Sequence, residues 1–312
     1  MRAVLPALAR PLLEPHLPAD LEVAWFASPE EAAAGIADAE IAWVDMQPTG
    51  FVADAIRASG PALRWVSTLY AGLDAFPLDL LRARGVRVTN GAGIGAAAVA
   101  EYAVMGVLAA AKRFDEVVRL ADRREWPWDA PGKVELPGTR ALVIGFGAIG
   151  RATGERLRAF GVDVTGVTRS GRDGTLPADA WRARLPEFDW VILAAPSTPE
   201  THAMVGAAEL AAMKPGAWIV NVARGDMLDQ DALLDALRAR RIGGAVLDVT
   251  DPEPLPPDHP LWAEPDCLIT MHLSGRAQTG MFRRAGALFL ENLSAYREGR
   301  PLRNQVDLVA GY

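Results

Sequence analysis

Short apolar runs alternate with segments of helical periodicity along most of the chain. In the first hundred residues, strands are expected near Arg2–Leu5, Glu22–Phe26, Ile41–Asp45, Arg64–Ser67 and Arg87–Thr89. Amphipathic or alanine-rich stretches such as Pro29–Ile36 and Pro77–Arg84 separate them. That alternation predicts a parallel sheet covered by helices. A long helix is expected over roughly Ala97–Arg124, ending at Trp126-Pro127-Trp128, and a helix of that length often links domains. A second alternating series starts at Arg140. Its strands are expected at Ala141–Ile144, Asp163–Val167, Trp190–Ala194, Trp218–Asn221, Gly244–Val249 and Cys267–Met271, the count of a complete dinucleotide-binding sheet. A last helix, Gly280–Glu298, leads to a tail too short to be a domain, so the tail is expected to return to the first one. No repeat of fixed period is present.

The second series opens with a glycine-rich turn. Gly145, Gly147 and Gly150 form G-x-G-x-x-G directly after an apolar run and before a helix. The first glycine permits a tight turn, the second lets a pyrophosphate approach the backbone, and the third allows close helix–strand contact. The helix start, with Ala148 and Ile149, presents free amides to phosphate. The bland alternative is a glycine turn that packs on nothing special. An NAD-binding unit places an acidic residue about 20 positions on, for the ribose 2′-hydroxyl. Thr168 stands there instead, followed by Arg169, Ser170 and Arg172. A neutral residue followed by guanidinium groups suits a 2′-phosphate, so the expected cofactor is NADP, or NAD as the second choice. A solvated basic turn is the alternative.

Composition narrows the chemistry further. The 312 residues suggest two domains, and the half that are apolar supply full cores. Cys267 is the only cysteine, which leaves no internal disulfide and no C-x-x-C pair for zinc or redox work. No metal site is expected. The formal charge of −7 argues against a nucleic-acid partner. Pro6, Arg10, Pro11 and Glu14 interrupt the apolar N-terminus, and no run reaches the ~18 residues of a membrane span. A cytoplasmic location without membrane attachment is expected. Lys112, Lys133 and Lys214 are the only lysines, so Schiff-base candidates are few while arginines for carboxylate or phosphate abound.

Four histidines can be weighed one by one. His16 lies in the N-terminal turn, His202 in a loop after Pro199-Glu200-Thr201, and His259 in a proline-rich turn. His272 follows the last strand and precedes Ser274-Gly275, at the strand edge where open α/β sheets bind ligands. Arg224 and Glu253 follow the two preceding strands. An arginine, a glutamate and a histidine from three consecutive strand ends suit hydride transfer to a 2-keto acid. Taken singly, each has a dull reading, such as a surface salt bridge for Arg224.

Gly145-Phe146-Gly147-Ala148-Ile149-Gly150, Asn221-Val222-Ala223-Arg224-Gly225, Asp248-Val249 with Glu253-Pro254-Leu255, and His272-Leu273-Ser274-Gly275 together resemble the D-isomer-specific 2-hydroxyacid dehydrogenases. Val88-Thr89-Asn90-Gly91, Val99-Ala100-Glu101-Tyr102 and Leu193-Ala194-Ala195-Pro196-Ser197 with Thr201 look like further segments of that family. The resemblance implies an α/β fold with two Rossmann-like domains: a flavodoxin-like substrate-binding domain from residues 1–96 and 281–312, and an NAD(P)-binding domain from 97–280. It implies Arg224, Glu253 and His272 as the catalytic residues. It implies cofactor contacts from the glycine turn, Thr168, Arg169, Ser170, Arg172, Ala195, Pro196, Thr201, Val222, Ala223, Asp248, Ser274 and Gly275, with Asp248 toward the nicotinamide carboxamide. Tyr70, Ala71, Gly72 and Leu73 look like the loop whose amides bind the substrate carboxylate, where Arg224 and His272 also act. Thr168-Arg169-Ser170 resembles the NADPH-using glyoxylate/hydroxypyruvate reductase branch. The implied reaction is reduction of a small 2-keto acid to the D-2-hydroxy acid, in a homodimer built on the coenzyme domain. Met271 stands where the family usually has proline. Alternatives are a dehydrogenase of a larger acid, phosphorylated or aromatic, a non-catalytic NAD(P)-sensing interaction protein of the same fold, and a methyltransferase, which normally needs an acidic residue near Thr168. Trp126 and Trp128 either close a pocket, their own or a partner's, or pack at the dimer interface. Arg276 either binds a second acidic group or faces solvent.

Overall fold

The computed structural model describes residues 1–45, 51–276 and 279–309. The chain divides into two compact units, Met1–Gly95 with Ala277–Tyr312, and Ala96–Arg276. The first holds five parallel strands, β1 (Arg2–Pro6), β2 (Glu22–Phe26), β3 (Ile41–Ala42), β4 (Trp65–Ser67) and β5 (Arg87–Thr89), in the order β2-β1-β3-β4-β5. This is the flavodoxin-like order. The second unit holds six parallel strands, β6 (Arg140–Ile144), β7 (Asp163–Val167), β8 (Trp190–Leu193), β9 (Trp218–Asn221), β10 (Gly244–Leu247) and β11 (Cys267–Ile269), in the order β11-β10-β9-β8-β6-β7. A single parallel bridge from Val167 to Leu176 extends the β7 edge where a further strand would run.

The central strands are apolar along most of their length, with polar residues mainly at their ends, because both sheet faces are covered. In β6, β8 and β9, Leu142, Ile144, Val191, Leu193 and Ile219 join one buried cluster, while Ala141, Val143, Trp190, Ile192 and Val220 join the other. Alternate residues of one run thus feed two cores. In the first unit, the helix Thr279–Arg297 brings Phe289 onto Trp65, with ring centroids 5.2 Å apart, and onto Trp43 at 5.5 Å. Tyr296 stacks on Trp65 as well and donates to Glu40 Oε1 at 2.8 Å. No helix among the described residues is long and apolar enough to cross a membrane.

Three expectations need correction. The long helix is two, Ala96–Lys112 and Phe114–Arg123, broken at Arg113, whose φ is +49°. The following segment explains the break. It folds back so that Lys112 Nζ donates to Val134 O at 2.8 Å, and a Cβ on Gly132 would lie 2.1 Å from Lys112 C. Arg113 is held in its turn by Asp266 at 2.9 Å. Second, β3 stops at Ala42 instead of Asp45, because only Ile41 and Ala42 have ladder partners on both sides. Third, β10 and β11 end at Leu247 and Ile269, so Asp248, Thr270, Met271 and His272 form loop structure beyond the sheet. Their polar side chains therefore build the loops around the site.

Candidate active site

The glycine turn follows β6. Gly145 has a φ of +96°, and a Cβ there would lie 2.3 Å from Ala195 N. A Cβ on Gly150 would lie 2.2 Å from Gly145 O, so the helix Ala148–Ala159 closes directly onto the turn. Gly147 differs: nothing lies within 4 Å of where its Cβ would stand, and its backbone is open to a ligand. The helix's first bond is Arg151 N to Gly147 O at 2.9 Å, so the amides of Ala148, Ile149 and Gly150 are those a helix start leaves for an anion. An open cradle with orphan donors fits a dinucleotide pyrophosphate.

At the end of β7 no carboxylate occupies position 168. The Thr168 hydroxyl works inside the turn, 2.7 Å from Thr175 Oγ1 and accepting from Gly171 N at 3.1 Å. Thr175 donates its only hydroxyl proton to Arg172 O at 2.6 Å, which makes Thr168 the donor in the Thr–Thr pair. Arg172 Nε donates to Ser170 Oγ at 2.9 Å, and Arg169, Ser170 and Arg172 all lie exposed. After β8, Thr201 Oγ1 donates to Pro196 O and accepts from Thr198 N, both at 2.8 Å, closing the loop that follows Ala195. Ser197 Oγ donates to Asp226 Oδ2 at 2.6 Å, which ties this loop to the segment after Arg224.

Three strand ends meet around His272. Beyond β9, Asn221 braces the loop by donating to Arg224 O at 2.8 Å and accepting from Ala223 N at 3.0 Å, with Val222 and Ala223 buried. A Cβ on Gly225 would lie 2.0 Å from Thr250 C, so the arginine loop runs tight against the loop after β10. Beyond β10, Glu253 Oε1 accepts from Thr250 N at 3.1 Å and Oε2 meets His272 Nδ1 at 2.7 Å. Burial would raise the Glu253 carboxyl. The His272 hydrogen bond and charge, the Thr250 amide and the Arg224 charge outweigh it and hold Glu253 below the usual carboxylate range. Beyond β11, Met271 and His272 both adopt φ of +55°, a conformation that side chains disfavour. Asp248 holds them there. Its backbone oxygen accepts from His272 N at 2.5 Å, and its carboxylate accepts from Thr270 Oγ1 at 2.6 Å, Leu273 N at 3.0 Å and Ser274 N at 3.3 Å. Gly275 follows, with only Val99 within reach of a Cβ, at 3.9 Å.

In the first unit, the Tyr70–Leu73 loop is braced from below. Leu69 N donates to Asp45 Oδ2 at 2.5 Å, and Tyr70 N to Thr68 Oγ1 at 3.0 Å. Gly91 N and Asn90 Nδ2 donate to Tyr70 O and Ala71 O, both at 2.8 Å. The amides of Ala71, Gly72 and Leu73 find no acceptor among the described residues, and successive free amides suit an anion. Among the other histidines, His259 accepts from Leu261 N as a helix cap, and His16 lies in a short helical turn of the first unit.

A family model described as D-isomer specific 2-hydroxyacid dehydrogenase, NAD binding domain, matches residues 104–274. The chain is 32% identical over 262 residues to a glyoxylate reductase/hydroxypyruvate reductase from Mus musculus, covering 81% of this chain and 80% of that one. The chain belongs to the D-isomer-specific 2-hydroxyacid dehydrogenase family. A solved family member from Aeromonas salmonicida superposes with a TM-score of 0.87 at 28% identity, covering 98% of both chains. An NADPH-dependent glyoxylate/hydroxypyruvate reductase from Sinorhizobium meliloti in complex with citrate superposes with a TM-score of 0.81 at 25% identity, again covering 98% of both. This chain is therefore an NAD(P)-dependent 2-hydroxyacid dehydrogenase with Rossmann-like α/β architecture.

In this dehydrogenase the sequence reading missed several supporting side chains. Thr270, Thr68 and Gln230 gave no signal, because their partners lie 22, 23 and 21 positions away and no motif spacing links them. The strand-end position of Asp45 was the one available hint.

Proposed function

We propose that the chain reduces a small 2-keto acid of the glyoxylate or hydroxypyruvate kind to the D-2-hydroxy acid, with NADPH preferred over NADH and His272 as general acid. The observation that carries this reading is the 2.7 Å contact between His272 Nδ1 and Glu253 Oε2. Glu253 takes Nδ1, which leaves Nε2 to donate a proton to the substrate's carbonyl oxygen. The ionised Glu253 stabilises the imidazolium and fixes the ring's orientation. Arg224 binds the substrate carboxylate through its guanidinium fork, and the Ala71, Gly72 and Leu73 amides with Tyr70 supply further carboxylate binding. When bound, the nicotinamide supplies the hydride to C2. Gly145, Gly147 and Gly150 with Ala148 and Ile149 hold the pyrophosphate, and the other cofactor contacts named above complete its site. The 2′-phosphate is assigned to Arg169, Ser170 and Arg172, with Thr168 shaping the turn and keeping a carboxylate out. The activities of the mouse and Sinorhizobium relatives support the substrate class and, for the latter, the cofactor.

The coenzyme unit also carries a strip that suits a second copy of the chain. Phe114, Val117 and Val118 are exposed, Trp126 and Trp128 are 90% and 101% exposed, and a hollow runs beside them along Leu120 and Ala121. Patches of this kind mark interfaces and support a homodimer through this unit.

A panel of 2-keto acids against NADPH and NADH tests the reading. The expected result is highest kcat/KM for the smallest acids with NADPH, and a clear NADH preference refutes the phosphate assignment. His272→Ala should lose about 10²- to 10⁴-fold in kcat with NADPH binding retained. An unchanged kcat refutes the general-acid role. Because the protonated ring is the donor, reduction should slow as pH rises and oxidation as it falls.

A further inference from the structure

We propose that Gln230 is a positioning residue for the Glu253–His272 pair, an inference that rests on the catalytic reading above. Gln230 opens the helix Gln230–Arg238, directly after its capping residue Asp229. Its carboxamide meets both backbone polar groups of Asp251: Nε2 donates to Asp251 O, and Oε1 accepts from Asp251 N at 3.3 Å. Two residues on, Glu253 divides its carboxylate between Thr250 N at 3.1 Å and His272 Nδ1 at 2.7 Å. Thr250 Oγ1 closes the turn onto Pro252 O at 3.0 Å. The loop 250–253 therefore has an internal lock at Thr250 and a side-chain tether from outside, the Gln230 carboxamide on Asp251.

The tether also reaches the arginine. Gln230 lies six residues after Arg224 on one continuous segment, and that segment already touches the same loop at Gly225, where a Cβ would lie 2.1 Å from Thr250 O and 2.5 Å from Asp251 N. The segment thus grips the glutamate loop at two points, by close backbone approach next to Arg224 and by the carboxamide at Gln230. A peptide unit presenting one donor and one acceptor side by side calls for a side chain with both, and the carboxamide is that side chain. An ionised glutamate keeps the acceptor, loses the donor, and faces Asp251 O with like charge.

The expected consequence is kinetic. When the tether is cut, Glu253 spends less time on Nδ1, so the imidazolium loses part of its stabilisation. Gln230→Met keeps the length of the side chain and removes both hydrogen bonds. It should lower kcat for keto-acid reduction by about 10- to 100-fold with KM changed far less. The alkaline limb of its pH–rate profile should move toward lower pH. Gln230→Glu, which retains the bond from Asp251 N, should show a smaller shift in the same direction and serves as the readout if the Met variant fails to fold. In a Glu253→Gln background, either change should leave the remaining profile unmoved, since the group being positioned is gone. A side chain that merely starts a helix lowers Tm and leaves the profile in place. Wild-type limbs in both Gln230 variants, alongside an inactive His272→Ala, would overturn the positioning role while leaving the catalytic reading intact. An unimpaired His272→Ala would overturn the catalytic reading and this proposal with it.

Discussion

Asp45 and Asp248 occupy equivalent places in the two units. Each follows a parallel strand, each is buried, and each accepts from the backbone of the loop after the next strand. Their hydrogen bonding differs. Asp248 spreads Thr270, Leu273 and Ser274 over both oxygens. Asp45 gathers Trp43 Nε1, Leu69 N and the Thr68 side chain, and its Oδ1 has no partner among the described residues. Burial pushes the Asp45 carboxyl up to about 6 in spite of those donors. Position in the fold alone does not decide what a buried carboxylate does; the placement of its three donors over the two oxygens does. The satisfied one locks a loop that carries a disfavoured backbone, whereas the half-satisfied one leaves its unit sensitive to pH.

That comparison can be broken in three ways. Asp248→Ala should have the largest effect. It orphans two amides and a hydroxyl under a loop with two residues at positive φ, so stability should fall by about 3 kcal/mol or more in chemical denaturation. Turnover should fall with it even where the variant remains folded, because His272 loses its seat. A variant with wild-type turnover would show that the loop holds itself.

Asp45→Asn should have the next largest effect, and its sign depends on pH. The folded pKa is raised from 3.8 to about 6, so the wild type has its full contribution below the unfolded value and loses it as pH rises through about 6. That loss amounts to at most about 3 kcal/mol. The amide does not ionise, so the variant should match the wild type near pH 4 and exceed it at pH 8. A stability difference independent of pH would contradict the raised carboxyl.

Thr270→Val should have the smallest effect. It removes one donor from Asp248 and leaves both amides in place, for a loss of roughly 1–2 kcal/mol and a modest fall in kcat. A loss as large as that of Asp248→Ala would mean that the hydroxyl, not the amides, carries the loop.

Much of the coenzyme unit was legible beforehand because its chemistry is written in contiguous residues. The strand–turn–helix around Gly145, Gly147 and Gly150 is local, and the structure adds the physical ground for each glycine, two by close approach and one by open space. The change from apolar run to polar strand end at Asn221, Asp248 and His272 is local too. What was illegible was where helices and strands stop. Arg113 reads as mid-helix, and only the return of Gly132 and Val134 onto Lys112 reveals the break.

By itself, then, the sequence determined the alternating parallel architecture, the glycine turn, the absence of a carboxylate at Thr168 and the three polar strand ends, because hydrophobic periodicity and residue type act over a few positions. Tertiary structure alone decided the pairing of His272 with Glu253, the seat that Asp248 provides, the grip of Gln230 on Asp251 and the raised carboxyl of Asp45. The first three depend on hydrogen bonds between groups 19 to 26 positions apart in sequence, and the last on burial, both of which are set by sheet order and loop packing.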